Sequence, residues 1–189
     1  MNDSEQPSST QGGRLKRILR PVVRRVPGAR TVRHWAHKHL GRLLQFLARH
    51  FVGPRTLRPL FHRWRGVHIG NNVFIGYDAI IETSAPELVT IKDGAFIGIG
   101  TMIIAHFKSE FHTVVIEEEV FIGPRALILP NVVIGRAAVV TAGSVVTTSV
   151  PPMTMVQGNP AKPIATIGIP LRDDVSLKEF SKRLKPIRA

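Results

Sequence analysis

A chain of 189 residues with 43% apolar content is long enough for one domain that buries a core. It has no cysteine, which excludes a disulfide framework, a thiolate metal site and a cysteine nucleophile. Its net charge of +13 is unevenly placed: residues 1–66 hold 15 Lys and Arg against Asp3 and Glu5, whereas residues 67–189 hold 11 basic and 11 acidic groups.

Residues 1–13 are small and polar with nothing to bury, so disorder is expected there. The start MNDSEQPSSTQGG lacks the basic-then-apolar order of a secretory signal, and no run approaches the roughly 18 apolar residues of a membrane span. A cytoplasmic protein, soluble or peripheral at the inner face of a membrane, is therefore expected. Residues 14–66 form a basic arm broken by prolines. Within it Ala36, Leu40, Leu43, Leu44, Leu47 and Phe51 recur at helical spacing, which predicts an amphipathic helix over about 31–52. A basic arm suits an anionic partner, and an anionic membrane is the expectation, because nothing resembles a nucleic-acid reading motif. The competing reading is a helical pair packed beside the body as a lid.

The body, residues 67–164, obeys a period of six. Ile69, Ile75 and Ile81 are followed by Ile91, Ile97 and Ile103, then by Ile116, Ile122 and Ile128, and then by Ile134, Val140 and Val146. Six residues make a short strand and a corner, so three units make a triangular coil, and stacked coils pair their strands in parallel. Four triplets predict a parallel β-helix of about four coils, with each anchor pointing inward. Gly follows many anchors, as at Gly70, Gly76, Gly98, Gly123 and Gly135, where it supplies a corner torsion or a close approach.

Two interruptions break the period. The step from Ile81 to Ile91 carries four extra residues around Ser84–Leu88, and the step from Ile103 to Ile116 carries seven within Ala105–Val115. Loops on a regular scaffold are where function tends to be mounted. The remaining residues, 165–189, include a short amphipathic stretch from Val175 to Leu184 and are expected to cap the open end of the prism.

The run from Ile116 to Ile164, with TAGSVVT, the pair Pro151-Pro152 and GNPAK, resembles the hexapeptide-repeat acyltransferases, above all the sugar and antibiotic O-acetyltransferases. The similarity extends upstream to about Val67. The resemblance implies an all-β, left-handed parallel β-helix with a helical basic N-terminal arm and a short C-terminal helix. It also implies a homotrimer with active sites in clefts between prisms, acetyl-CoA as co-substrate and no metal.

His106, directly after TMIIA, matches the family's catalytic histidine. Ala142 and Gly143 match backbone that meets the pantetheine arm, and Lys162 matches a basic residue near the coenzyme phosphates. Phe121 stands where the family often has Trp against the coenzyme, and Pro124 where it often has Ser, so both are expected among the coenzyme contacts. Thr147 and Thr148 match a Thr-Lys pair whose Lys is missing. Upstream, Gly76 and Glu82-Thr83-Ser84 replace an Asn and an acidic pair that hold the acceptor.

Acyl transfer to a hydroxyl needs a base titrating near neutrality, and histidine is the natural one. Of the two histidines in the extruded loop, His106 is assigned that role. His112 is assigned at most an acceptor contact, and Glu82 is also placed at the acceptor. A carboxylate could orient His106, and Glu82 and Glu117–Glu119 are equally open candidates. The expected activity is acetyl-CoA-dependent O-acetylation of a saccharide or glycoconjugate hydroxyl. The alternatives are N-acylation of an amino sugar or drug, a silent scaffold, and a γ-class carbonic anhydrase, which would need a third imidazole.

Overall fold

The computed structural model describes residues 32–51 and 53–187. The expected disorder of 1–13, and the part of the basic arm before residue 32, lie outside the described residues.

Each triplet of anchors closes one triangular coil. The first face stacks His68–Ile69, Val89–Ile91, Val114–Ile116 and Val133–Ile134; the second stacks Phe74–Ile75, Phe96–Ile97, Phe121–Ile122 and Val139–Val140; the third stacks Ile80–Ile81, Met102–Ile103, Leu127–Ile128 and Val145–Val146. All these pairings are parallel and in register, anchor over anchor, as in Ile75 beside Ile97 and Ile97 beside Ile122. The inner isoleucines from Ile75 to Ile134 are fully buried and form one continuous core. Each contributes on the order of 1.5–3 kcal/mol by leaving water.

The glycines and the left-handed corners prove to be different devices. Gly123 follows its anchor where a Cβ would stand 2.5 Å from the Ala142 nitrogen of the next coil, so it is there for close approach. The positive φ falls two residues later, at Asp78, Gly100, Arg125 and Gly143, in a column along one corner. Non-glycine residues occupy several such positions despite the steric cost of left-handed backbone, because coil stacking over-determines the turn.

At the C-terminal end, Thr154–Gly158 adds a parallel strand beside Val139–Val140, and Ala161–Ile167 turns back antiparallel on it. Leu184–Pro186 then pairs with that strand. This covers the edge that the last coil would leave open. The intervening helix, Leu177–Lys182, places Phe180 with Ile167 and Val139 over the outer side of the second face.

The N-terminal end is closed by two helices, α1 (Val32–His50) and α2 (Leu57–Trp64), and by arginines that stand in for a missing coil. Within the stack, the carbonyl of each anchor accepts an N–H from the coil below it, as Ile91, Ile97 and Ile103 do from Gly70, Gly76 and Glu82. The first coil has nothing below. Arg63 Nε donates to the Ile69 carbonyl at 3.0 Å, Arg58 Nη1 to that of Ile75 at 2.8 Å, and Arg65 Nη2 to that of Ile81 at 3.1 Å. Arg58 is itself buried, with its guanidinium 3.6 Å from the centre of the Tyr77 ring. Arg49 pairs with Asp78, and Arg55 with Asp173. Much of the basic character of the described arm is therefore spent on the prism itself, as an end cap rather than as a lid beside it.

Candidate active site

Both interruptions follow the third anchor of their triplet, so they leave the prism at the same corner on adjacent coils. Ile81 pairs with Ile103, which places Glu82 directly beneath the stretch that leads into His106. The first insertion turns through a short 3-10 segment, Pro86–Leu88. The second forms a small hairpin in which His106–Phe107 pairs with Glu110–Phe111. Lys108 takes a left-handed conformation at its tip.

The first insertion wraps its backbone around the Glu82 carboxylate. Oε1 accepts the N–H of Ser84 at 2.6 Å and of Ala85 at 3.3 Å, and Oε2 accepts the N–H of Ala105 at 2.7 Å. His106 Nδ1 completes the set at 2.7 Å from Oε2. Glu82 is only 2% exposed. Burial alone would raise its pKa, but the His106 bond and the Ser84 and Ala105 amides outweigh that and hold it below the usual carboxylate range. An ionised carboxylate only accepts, so Nδ1 of His106 donates to it, and in the neutral ring Nε2 then keeps a free lone pair. The His106 side chain is 33% exposed, at the rim of the third face.

This arrangement decides between the carboxylates left open by sequence: Glu82 touches His106. Glu117 and Glu118 pair with Lys92, and Glu119 with Arg136 and Arg172, at another corner. Glu82 also corrects an expectation, because a buried carboxylate with both oxygens engaged is not available to touch an acceptor. His112 sits at the end of the hairpin with Nε2 3.6 Å from Glu110, and its backbone N–H closes onto the Ala105 carbonyl at 2.8 Å. Among the described residues, no three His, Cys, Asp or Glu side chains are grouped as metal ligands.

Residues 113–148 match the family described as bacterial transferase hexapeptide (six repeats). A Schizosaccharomyces pombe protein carrying an acetyltransferase name is 34% identical over 143 residues, which span 67% of this chain and 68% of that protein. YvoF of Bacillus subtilis, also named as an acetyltransferase, is 32% identical over 120 residues, 61% of this chain and 69% of that one. The chain belongs to the hexapeptide-repeat acyltransferases. Its fold matches that of the hexapeptide-repeat acetyltransferase VCA0836 of Vibrio cholerae, crystallised with acetyl coenzyme A, with a TM-score of 0.61 and 24% identity over 72% of this chain and 90% of that one. The prism is accordingly the left-handed β-helix of such enzymes.

In this acyltransferase the residues expected to meet the coenzyme do not all come together. Pro124, Ala142 and Gly143 are exposed along the corner between the second and third faces, in one column with Tyr77 and Ile99. Thr147 and Thr148 are exposed at the opposite edge of the third face, the corner that carries His106 two coils away. Lys162 is exposed near the start of the returning C-terminal strand, where it pairs with Gln157. Phe121 departs from expectation: its ring stacks 4.6 Å from that of Phe96 and packs with the cluster around Phe180, beneath the C-terminal segment. That contact holds it on the second face, away from the exposed corner. Within one chain, the third face separates the His106 edge from the Ala142 edge.

Proposed function

We propose that this acyltransferase moves an acetyl group from acetyl-CoA to a hydroxyl of a saccharide or glycoconjugate, with His106 as general base. The observation that carries the reading is the 2.7 Å contact between His106 Nδ1 and a buried, ionised Glu82. In the neutral ring it favours the tautomer whose Nε2 lone pair is free to accept a proton. The acceptor O–H donates its proton to Nε2 as its oxygen attacks the thioester carbonyl, forming a tetrahedral oxyanion. Collapse breaks the C–S bond, and the imidazolium returns the proton to the departing thiolate. Glu82 stabilises the imidazolium between the two steps. No covalent enzyme intermediate is involved. The need for a base favours a hydroxyl over an amine: a neutral amine attacks with its own lone pair, whereas an alcohol needs its proton removed as it attacks.

The coenzyme is placed along the corner of Pro124, Ala142 and Gly143, with Thr147, Thr148 and Lys162 as further contacts. Because one chain separates that corner from His106, the reading includes a homotrimer in which the His106 edge of one copy faces the Ala142 edge of its neighbour. The apolar residues lining the third face support this, since Met102 and Ile99 are exposed on a single chain. His112 is kept as an acceptor contact at the rim of the same cleft.

Contact between the N-terminal helices and an anionic membrane is also part of the proposal, in a cytoplasmic protein. On α1, Leu43 is 53% and Phe46 59% exposed, and Trp64 of α2 is 63% exposed. No Asp or Glu occurs between Glu5 and Asp78. An apolar stripe among cationic residues suits an interfacial helix. Among the described residues, no helix is long and apolar enough to cross a membrane.

The test is thiol release from acetyl-CoA with a panel of hydroxyl- and amine-bearing sugars. Ester formation on a sugar is expected. Amide formation alone would shift the reading to N-acylation, and the absence of both turnover and coenzyme binding by calorimetry would overturn it.

A further inference from the structure

The Glu82 carboxylate is tied down by its own loop, but its backbone lies in the first coil, where no lower coil holds it. One side chain from the N-terminal cap does. Arg65 Nη2 donates to the Glu82 carbonyl at 2.6 Å as well as to that of Ile81. Arg65 Nη1 donates to His62 Nδ1 at 2.8 Å. His62 is completely buried, and burial first, then the neighbouring Arg65 charge, lower its pKa to about 3, so it is a neutral acceptor across the working pH range. Burial also lowers the Arg65 pKa, to about 10, against the opposing pull of Glu82, which leaves it a cation at neutral pH. A continuous chain therefore runs from His62 to Arg65, to the Glu82 backbone, and through the Glu82 carboxylate to His106.

The other cap arginines do not reach this corner. Arg58 and Arg63 hold the carbonyls of Ile75, and of Ile69 and Gly70, on other parts of the coil. The cap as a whole serves the fold, and this one member also touches the residue on which the base leans.

We infer that Arg65 is a positioning residue for His106: by clamping the Glu82 backbone from the cap, it sets the carboxylate that selects the His106 tautomer. The N-terminal helices are thus part of the catalytic apparatus, and their loss would impair the base itself. This rests on the proposal that His106 is the base.

The test uses the full chain and needs no known acceptor. In the wild type, proton and nitrogen NMR of the histidine rings should show a slowly exchanging Nδ1–H, assigned to His106 by its loss in His106→Gln. In Arg65→Met that proton should exchange at least about tenfold faster, with the two neutral tautomers mixed, and Arg65→Lys, which keeps the charge but not the fork, should fall between. Hydrolysis of acetyl-CoA by water, read as thiol release, should lose about 10- to 100-fold in kcat with the coenzyme KM changed less than about threefold, as expected for a displaced rather than a deleted base. Arg58→Ala provides the control: it weakens the cap but should leave the His106 signal in place. An unchanged Nδ1–H signal in folded Arg65→Met overturns the inference, as does an equal change in Arg58→Ala. If Arg65→Met does not fold, the same signal in Arg65→Lys decides. Absence of the signal in the wild type would instead sink the Glu82–His106 pairing.

Discussion

Glu82 and His106, 24 residues apart in the chain, meet at 2.7 Å because two insertions of different length leave the prism at one corner on successive coils. The pairing has a direct consequence for catalysis. Glu82→Gln keeps the size of the side chain but can present an N–H where Nδ1 needs an acceptor, so the neutral ring is no longer held in the productive tautomer. We expect kcat to fall by at least about tenfold, toward the roughly 10⁴-fold loss known when a triad carboxylate becomes an amide. Steady-state thiol release at saturating acetyl-CoA checks this.

Acid should weaken the fold through His62. Its pKa in the folded protein is about 3 against 6.5 for an unperturbed histidine, so between those limits the unfolded chain binds a proton that the native chain does not. A depressed folded pKa means that its stabilising effect is intact above about pH 6.5 and declines as pH falls toward 3, by about 1.4 kcal/mol per pH unit for one proton. Urea unfolding across this range should reveal the slope, and His62→Gln should flatten it.

Two glycines at one corner of the prism should respond differently to alanine. At Gly123 a Cβ would lie 2.5 Å from backbone of the next coil, and both positions are held by the stack. Gly123→Ala is expected to cost about 1–3 kcal/mol or more by overpacking. At Gly143 a Cβ meets nothing within 4 Å, and only the φ of 69° opposes it. Gly143→Ala should cost about 1–2 kcal/mol. Thermal unfolding of the two variants gives the order directly.

Membrane contact is tested by sedimentation with phosphatidylglycerol-containing vesicles. The protein should co-sediment at low salt and partly release at high salt, and a Leu43→Glu, Phe46→Glu double variant should stay in solution with its secondary structure unchanged. Co-sedimentation by that variant would remove α1 from the interface.

Much of the fold could be read from twelve anchors, because coil stacking permits one spacing only and each anchor must point inward. A further signal lies in the same anchors: Ile81 and Ile103 are both third in their triplets, so the residues that follow them stack, which favours Glu82 over Glu117–Glu119. The N-terminal cap was not legible in the same way. Arg58, Arg63 and Arg65 resemble any basic surface until the unpaired carbonyls of Ile69, Ile75 and Ile81 are placed above them, and those come from the far side of the repeat rule. The packing of Phe121 was not legible in the same way, because a motif match records which residue stands at a corner's approach, whereas the Phe74–Phe96–Phe121 stack and the returning C-terminal segment decide where its ring lies.

The most direct measurement is kcat for thiol release from acetyl-CoA by His106→Ala beside the wild type, with both proteins shown to be folded by circular dichroism and to bind the coenzyme with similar affinity. Removal of a general base should lower kcat by about 10²- to 10⁴-fold while leaving coenzyme binding intact. A His106→Ala protein that turns over at the wild-type rate would contradict the account.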